Sequence, residues 1–240
     1  MTPPPIDLQR RVALDLARAH GVPIVTPDSP SALREAIAAL VSLVSSRTYA
    51  SLSAGASFYV PRLAGKVAGL VPAAVIPPLV STLLDVSGVV LVSRDAWDRH
   101  PLAVVAHELS HARRDATVAA GGVVASVLWG VGYLAHPDVR AWEESTCRIN
   151  DLVGLVVIDG LSVDDALPTA AGGVDAYALD TPARALYLAA LDSAAASLRA
   201  GELPGEGTAI HRGLQGLPRA GWDAGPWAAA IDGERKTVTP

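Results

Sequence analysis

The sequence predicts an α+β fold that is mostly helical and carries a small sheet. Three observations lead there. Apolar residues recur at spacings of three and four in several long segments, each bounded by a start or stop signal. One segment, Val89-Val90-Leu91-Val92 between Ser87-Gly88 and Ser93-Arg94-Asp95, reads as a short buried strand. The chain has 240 residues, half of them hydrophobic and 18% charged, enough for one substantial core. The expected organisation is an N-terminal helical scaffold over 1–62, a core over 63–165, and a C-terminal helix with an irregular tail over 166–240, all in one compact unit.

Taken in order, Ile6 to His20 sets Leu8, Val12, Leu16 and Ala19 on one stripe and meets Gly21 and Pro23, which stop a helix. Asp28-Ser29-Pro30-Ser31 supplies caps for a second helix over Ala32 to Ser45, with Leu33, Ile37, Leu40, Val41 and Val44 on its apolar face. Leu63 to Leu84 contains Pro72, Pro77 and Pro78 and reads as broken helix and loop. After the strand, Pro101 suits a first helical turn, and Leu102, Val104, Val105, Leu109 and Ala112 carry the apolar face on toward Asp115. His136-Pro137-Asp138 starts another helix, with Val139, Trp142, Thr146, Ile149, Leu152 and Val153 in phase. Asp180-Thr181-Pro182 opens the last clear helix, Ala183 to Leu198, and the Gly, Pro and Trp content beyond Gly201 reads as an irregular tail.

Composition excludes some functions. With 24 acidic against 19 basic residues the net charge is −5, so there is no basic surplus to neutralise a phosphate backbone, and nucleic acid is not an expected partner. The single cysteine, Cys147, forms no intrachain disulfide or Cys-Cys zinc knuckle and favours a reduced, intracellular setting. No apolar stretch follows a basic segment at the N-terminus, so a secretory signal is not expected and the location predicted is cytoplasmic or virion-associated. One membrane candidate exists: Ala116 to Ala135 is uncharged and of spanning length, but it contains Gly121, Gly122, Gly130 and Gly132.

The chemistry centres on Ala106-His107-Glu108-Leu109-Ser110-His111, an HExxH pattern on a predicted amphipathic helix. The i, i+4 spacing puts both imidazoles on one face, one turn apart, where two ring nitrogens can converge on one zinc ion at about 2.0–2.1 Å. Glu108, beside the first histidine, is then placed as the general base that takes a proton from water. The plainer alternative is a surface helix with two solvated histidines and a glutamate. Asp115 extends the 107, 111 face by another turn and would bind metal, orient an imidazole, or simply pair with Arg113, Arg114 or a neighbouring helix. Tyr133, His136 and His211 are candidates for stabilising an oxyanion, against the alternatives of core packing for the tyrosine and a structural or surface role for each histidine.

With the downstream run Arg140-Ala141-Trp142-Glu143-Glu144-Ser145-Thr146-Cys147-Arg148, these residues resemble a zincin of the gluzincin class, similar to small bacterial or phage-encoded metallopeptidases. The likeness covers roughly Val89 to Leu155. It implies a zincin-like active-site helix beside a glutamate-bearing helix, with Zn2+ as cofactor and Glu143 as third ligand. Thr146 and Cys147 then stand at the small and the acidic or amide positions of that frame; Glu144 is the fallback, followed by Cys147 and Arg148. It also implies zinc-dependent hydrolysis of a peptide bond, with a peptide or protein substrate paired along an edge strand at Val89 to Ser93. There are departures. Cys147 occupies the place of a residue that usually orients a ligand histidine, and Arg114 and Thr117 occupy the places of the glycine and third ligand of the extended metzincin form.

Two further readings accompany this one. The first is a non-catalytic structural or interaction protein, such as a phage-particle component, that retains a zincin-like domain. The second is membrane association through 116–135. A single span there would send the two ligand helices to opposite sides of a bilayer, with no second span between Ala135 and Glu143 to bring the chain back, so a soluble fold is preferred.

Overall fold

The computed structural model describes residues 2–31, 33–35, 57–60, 88–172, 174–204 and 209–233. Among them the chain is mostly helical, with one three-stranded sheet. The predicted broken segment at 63–84 and most of the second helix lie outside the described residues.

Helix α1 (Ile6–Ala19) buries Val12, Ala13, Leu16 and Ala17, the stripe its sequence periodicity sets. It ends at Gly21, whose φ of +64° is the left-handed conformation open to glycine at little cost. The Gly21 amide donates to the Arg18 carbonyl and the Val22 amide to the Ala17 carbonyl, both at 3.0 Å, which satisfies the last turn.

The chain then forms β1 (Ile24–Val25), β2 (Phe58–Val60) and β3 (Val89–Leu91), in the spatial order β1-β3-β2. β1 runs parallel to β3, with Ile24 opposite Val90, and β2 runs antiparallel, with Tyr59 opposite Val90. All three residues of β3 are buried. This corrects the expectation that Val89 to Ser93 offers a free edge: β3 is the central strand, with its hydrogen bonds spent on both neighbours. Among the described residues, the outer sides of β1 and β2 are the edges of the sheet.

Gly88, at φ +70°, precedes β3 and leaves room for the Tyr59 ring, which a Cβ there would strike. Tyr59 Oη in turn donates to Asp115 Oδ2 at 2.7 Å and ties β2 to the helix that follows.

Short α2 (Arg94–Arg99), capped by the Ser93 hydroxyl, leads into α3 (Pro101–Ala120), with Pro101 in the first turn where its missing N–H costs nothing. Gly121 separates α3 from α4 (Gly122–Ala135). The uncharged 116–135 stretch is therefore the end of one helix and the whole of another, and no helix among the described residues is long and apolar enough to cross a membrane. Val124, Leu128 and Val131 on α4 are exposed.

α5 (Pro137–Val153) returns against α3 and passes into a π-helical turn over Gly154–Ile158. Contacts between α3 and α5 pair 111 with 143, 110 with 150, 107 with 151 and 103 with 154, so the two helices run antiparallel. Gly154 permits the close approach: a Cβ there would lie 2.5 Å from Ala103 Cβ.

α6 (Val163–Ala171) and α7 (Thr181–Arg199) cover the far side of α5, Tyr187 and Leu191 of α7 being fully buried. The C-terminal region holds a helix where an irregular tail was expected. α8 (Ala209–Arg219) buries Ile210, Leu214 and Leu217, and α9 (Ala228–Asp232) follows it. Its glycines, read from sequence as breakers, are contact points. A Cβ at Gly213 would sit 2.8 Å from Leu102 Cδ1, and one at Gly216 would sit 3.0 Å from Val12 Cγ1. Buried Asn150 joins three helices. It donates to Ser110 Oγ on α3 at 3.1 Å and to the Cys147 carbonyl at 2.9 Å, and its oxygen accepts the Ile210 amide at the start of α8 at 3.2 Å.

Candidate metal centre

The helical repeat of α3 sets His107 and His111 on the face turned to α5, their ring centroids 5.4 Å apart. α5 presents Glu143, Glu144, Cys147 and Asp151 to them. Glu144 Oε2 stands 4.0 Å from His107 Nε2 and 3.8 Å from His111 Nε2. Tetrahedral ligands at about 2.1 Å from one ion would be about 3.4 Å apart. A movement of about half an ångström brings Glu144 Oε2 to that separation from each ring nitrogen. The other Glu144 oxygen accepts the hydroxyl of Tyr133 from α4. Burial and the Glu144 charge raise the Tyr133 pKa far above the ordinary phenol range, so Tyr133 keeps its proton and donates it.

The opposite nitrogens of both rings are held by carboxylates. His107 Nδ1 donates to Asp151 Oδ2 at 3.0 Å, and Arg148 Nη1 donates to the same oxygen at 2.9 Å. Burial alone would raise the Asp151 pKa, but the charges of His107 and Arg148 and their hydrogen bonds more than offset it, and the net shift is downward. His111 Nδ1 donates to Glu143 Oε1 at 3.4 Å, and Arg114 Nε lies 3.4 Å from Glu143 Oε2. The Arg114 guanidinium also lies 4.0 Å from the centroid of the Trp142 ring. Nδ1 donation fixes the tautomer and turns Nε2 of each ring inward, which is how metal-binding histidines are usually oriented.

The charge balance fits a cation. Glu108, Glu143 and Glu144 are each at most 5% exposed, and the Asp151 side chain is 14% exposed. Against these four carboxylates stand two guanidiniums, Arg114 and Arg148. With both imidazoles neutral and the carboxylates ionised, the described residues of the cluster carry two uncompensated negative charges in a buried setting, a costly state unless protons or a metal ion neutralise them. The protonation tendencies express the same deficit. Burial raises the Glu108 pKa, opposed by His107 and His111 and reinforced by Glu144 and Asp151. Burial would lower the His111 pKa, but Cys147, Glu144 and Glu143 push it well above the ordinary imidazole value. The donors, two imidazoles and a carboxylate, suit zinc.

Cys147, 1% exposed, lies with this group. One ligand atom each of His107, His111 and Cys147 all fall within 4.8 Å of one another. Burial pushes its thiol pKa up to about 12 despite the neighbouring His111.

Of the residues singled out from sequence, the structure gathers His107, Glu108, His111, Glu143, Glu144 and Tyr133. Asp115 is buried against Tyr59 of β2 and anchors the sheet to α3. His136 is exposed at the junction of α4 and α5. His211 lies on α8, with its Nε2 at 2.9 Å from the Ile231 carbonyl of α9.

Three members of the cluster were not anticipated: Asp151, Arg148, and Cys147 as a group beside both imidazoles. Support for the first histidine, in doubt because Cys147 fills the usual position, comes from Asp151 one turn further along α5. Two helical turns separate it from Glu144, a spacing that sequence alone could have flagged. No family model, no curated protein and no solved structure matches the chain.

Proposed function

We propose that this chain is a zinc-dependent, zincin-like hydrolase of peptide bonds, with His107, His111 and Glu144 holding the metal and Glu108 as general base. The observation that carries the reading is the position of Glu144 Oε2 against both inward-facing Nε2 atoms, while both Nδ1 atoms are tied to carboxylates. Glu143, the ligand first expected, serves in this reading to orient His111.

A zinc ion held there supplies, when bound, the Lewis acidity that polarises a carbonyl and makes water a nucleophile near neutral pH. The remaining work belongs to side chains of this chain. Glu108 takes the proton of the attacking water and delivers it to the departing amine, and its raised pKa suits a group that must hold that proton between the two transfers. Tyr133 fixes the Glu144 carboxylate by donating to Oε1. Asp151 and Glu143 stabilise the ring orientations of the two histidines. An extended peptide would pair along the outer edge of β2, which Asp115 secures to the active-site helix through Tyr59. We place the protein in a reducing compartment, cytoplasmic or virion-associated, where its single thiol persists.

Elemental mass spectrometry of the purified protein tests the site. About one zinc per chain, lost in His111→Ala and Glu144→Ala, is the expected result for a site of this ligand number. Glu108→Gln should then retain zinc while turnover of a peptide library falls by about 10²–10⁴. Wild-type protein that takes up no zinc would overturn the reading. A second reading, a non-catalytic module retaining a zincin-like domain, is favoured by one observation, the thiol of Cys147 close to both imidazoles.

A further inference from the structure

The position of that thiol bears on the proposed zinc site and rests on it. Each ligand helix contributes two donors at helical spacing. His107 and His111 are four residues apart on α3, and Glu144 and Cys147 are three apart on α5, so each pair shares a face of its own helix. The two helices run antiparallel with these faces opposed, and one atom each of His107, His111 and Cys147 lies within 4.8 Å of the others. Glu144 Oε2 meets the same two imidazoles at 4.0 and 3.8 Å. Cys147 and Glu144 thus both reach the same pair of imidazoles from α5.

We propose that Cys147 is a fourth protein ligand, so that the metal-loaded resting site is a closed set of His107, His111, Glu144 and Cys147. Sites of this closed kind exclude water, whereas a hydrolytic site keeps one position open. In this protein the thiolate and the reacting water compete for one position. Cys147 has to withdraw before hydrolysis begins, and while it stays bound the site is structural. On binding, the Sγ–H bond breaks, its proton passes to solvent, and Sγ bonds to the metal with no change of oxidation state.

Burial supports the closed form. His107 is 7% exposed, Glu144 4% and Cys147 1%, and the His111 side chain is 13% exposed, which leaves little solvent access to a fourth position. Cysteine is also an ordinary small core residue, and packing alone would ask for no more than its volume. The two imidazoles beside it set this one apart, since zinc accepts thiolate, imidazole and carboxylate donors together.

Zinc K-edge X-ray absorption decides the matter, on full-length protein loaded with one zinc per chain and kept reduced by a phosphine so that no other thiol is present. The expected spectrum contains one sulfur neighbour at about 2.3 Å with nitrogen and oxygen at about 2.0–2.1 Å. Cys147→Ala should lose the sulfur shell and keep the zinc. A shell of nitrogen and oxygen alone in zinc-loaded wild type overturns the proposal and leaves the three-ligand site standing. Failure of the wild type to bind zinc overturns both. If Cys147→Ala does not fold, cobalt-loaded wild type gives the same decision: a thiolate-to-cobalt charge-transfer band is expected, and its absence refutes the fourth ligand.

Discussion

The proposed site gives two adjacent glutamates on α5 different roles, and replacing each by glutamine separates them. Both are buried, at 2% for Glu143 and 4% for Glu144, and the exchange preserves volume while removing charge. Glu144 faces two Nε2 atoms, so Glu144→Gln removes the proposed ligand. Glu143 lies behind the His111 ring at 3.4 Å from Nδ1, so Glu143→Gln weakens the support of that ring and the ion pair with Arg114 while leaving the proposed ligand in place. Loss of a partner behind a metal-binding histidine typically costs 10–100-fold in affinity. The 3.4 Å contact at His111 is longer than the 3.0 Å contact at His107, which puts Glu143→Gln at the low end. The expectation is about tenfold, or about 1.4 kcal/mol. Glu144→Gln should exceed about 100-fold, beyond the range for supporting residues. Zinc affinity is read by competition with a chromophoric chelator at fixed pH and salt, with circular dichroism confirming that each variant is folded. Equal losses, or a larger loss in Glu143→Gln, would refute the assignment.

Asp151→Asn should weaken zinc binding by about 100-fold, the upper end for such a partner, in the same competition assay. Gly154→Ala pushes a methyl to 2.5 Å from Ala103 Cβ, and overpacking of this kind costs about 1–3 kcal/mol, read as a lower urea midpoint. Tyr59→Phe removes the hydroxyl that Asp115 accepts, and a hydrogen bond to a carboxylate contributes about 1.5–3 kcal/mol, measured the same way. A fifth prediction concerns pH. His100 Nδ1 lies 2.8 Å from Asp159 Oδ2; the hydrogen bond to Asp159 raises the His100 pKa, burial and Arg99 oppose it, and the Asp159 and Asp151 charges reinforce it. Because the folded pKa lies above the unfolded value of 6.5, this contribution is fully present below 6.5 and is lost as pH rises through the folded pKa. Asp159→Asn should therefore destabilise the protein more at mildly acidic than at alkaline pH in urea unfolding, and a pH-independent difference would contradict it.

The parts of this molecule legible in the sequence are those governed by local chemistry. α1, α3, α5 and α7 follow from apolar spacing and from Pro101, Pro137 and Pro182 in their first turns. The HExxH residues follow from the geometry of one helical turn. What was missed depends on contacts between segments far apart in sequence. β1 is two residues long, and its pairing with β3 joins Ile24 to Val90, which no local pattern announces. That missing neighbour is why β3 was read as an edge. α8 was hidden by Gly213 and Gly216, whose value lies in the Leu102 and Val12 side chains they admit. The choice between Glu143 and Glu144 turns on the rotation of α5 about its own axis, which packing against α7 and α3 sets and the motif does not.

The antiparallel arrangement of α3 and α5 also bears on the order of folding. The contacts that assemble the candidate site span 32 residues between His111 and Glu143 and 44 between His107 and Asp151, within one continuous run of helices. The Arg34 side chain must reach the Val92 carbonyl 58 residues ahead of it, and the Trp222 indole that of Thr2, 220 residues back. Closing a longer loop costs more entropy, and short-range helical contacts form faster than long-range strand pairings. The α3–α4–α5 hairpin is therefore expected to collapse first and to present its histidines before the sheet is complete. Zinc added during refolding would then meet a nascent site and speed the early phase, while the slower docking of the termini proceeds at a rate the metal does not change.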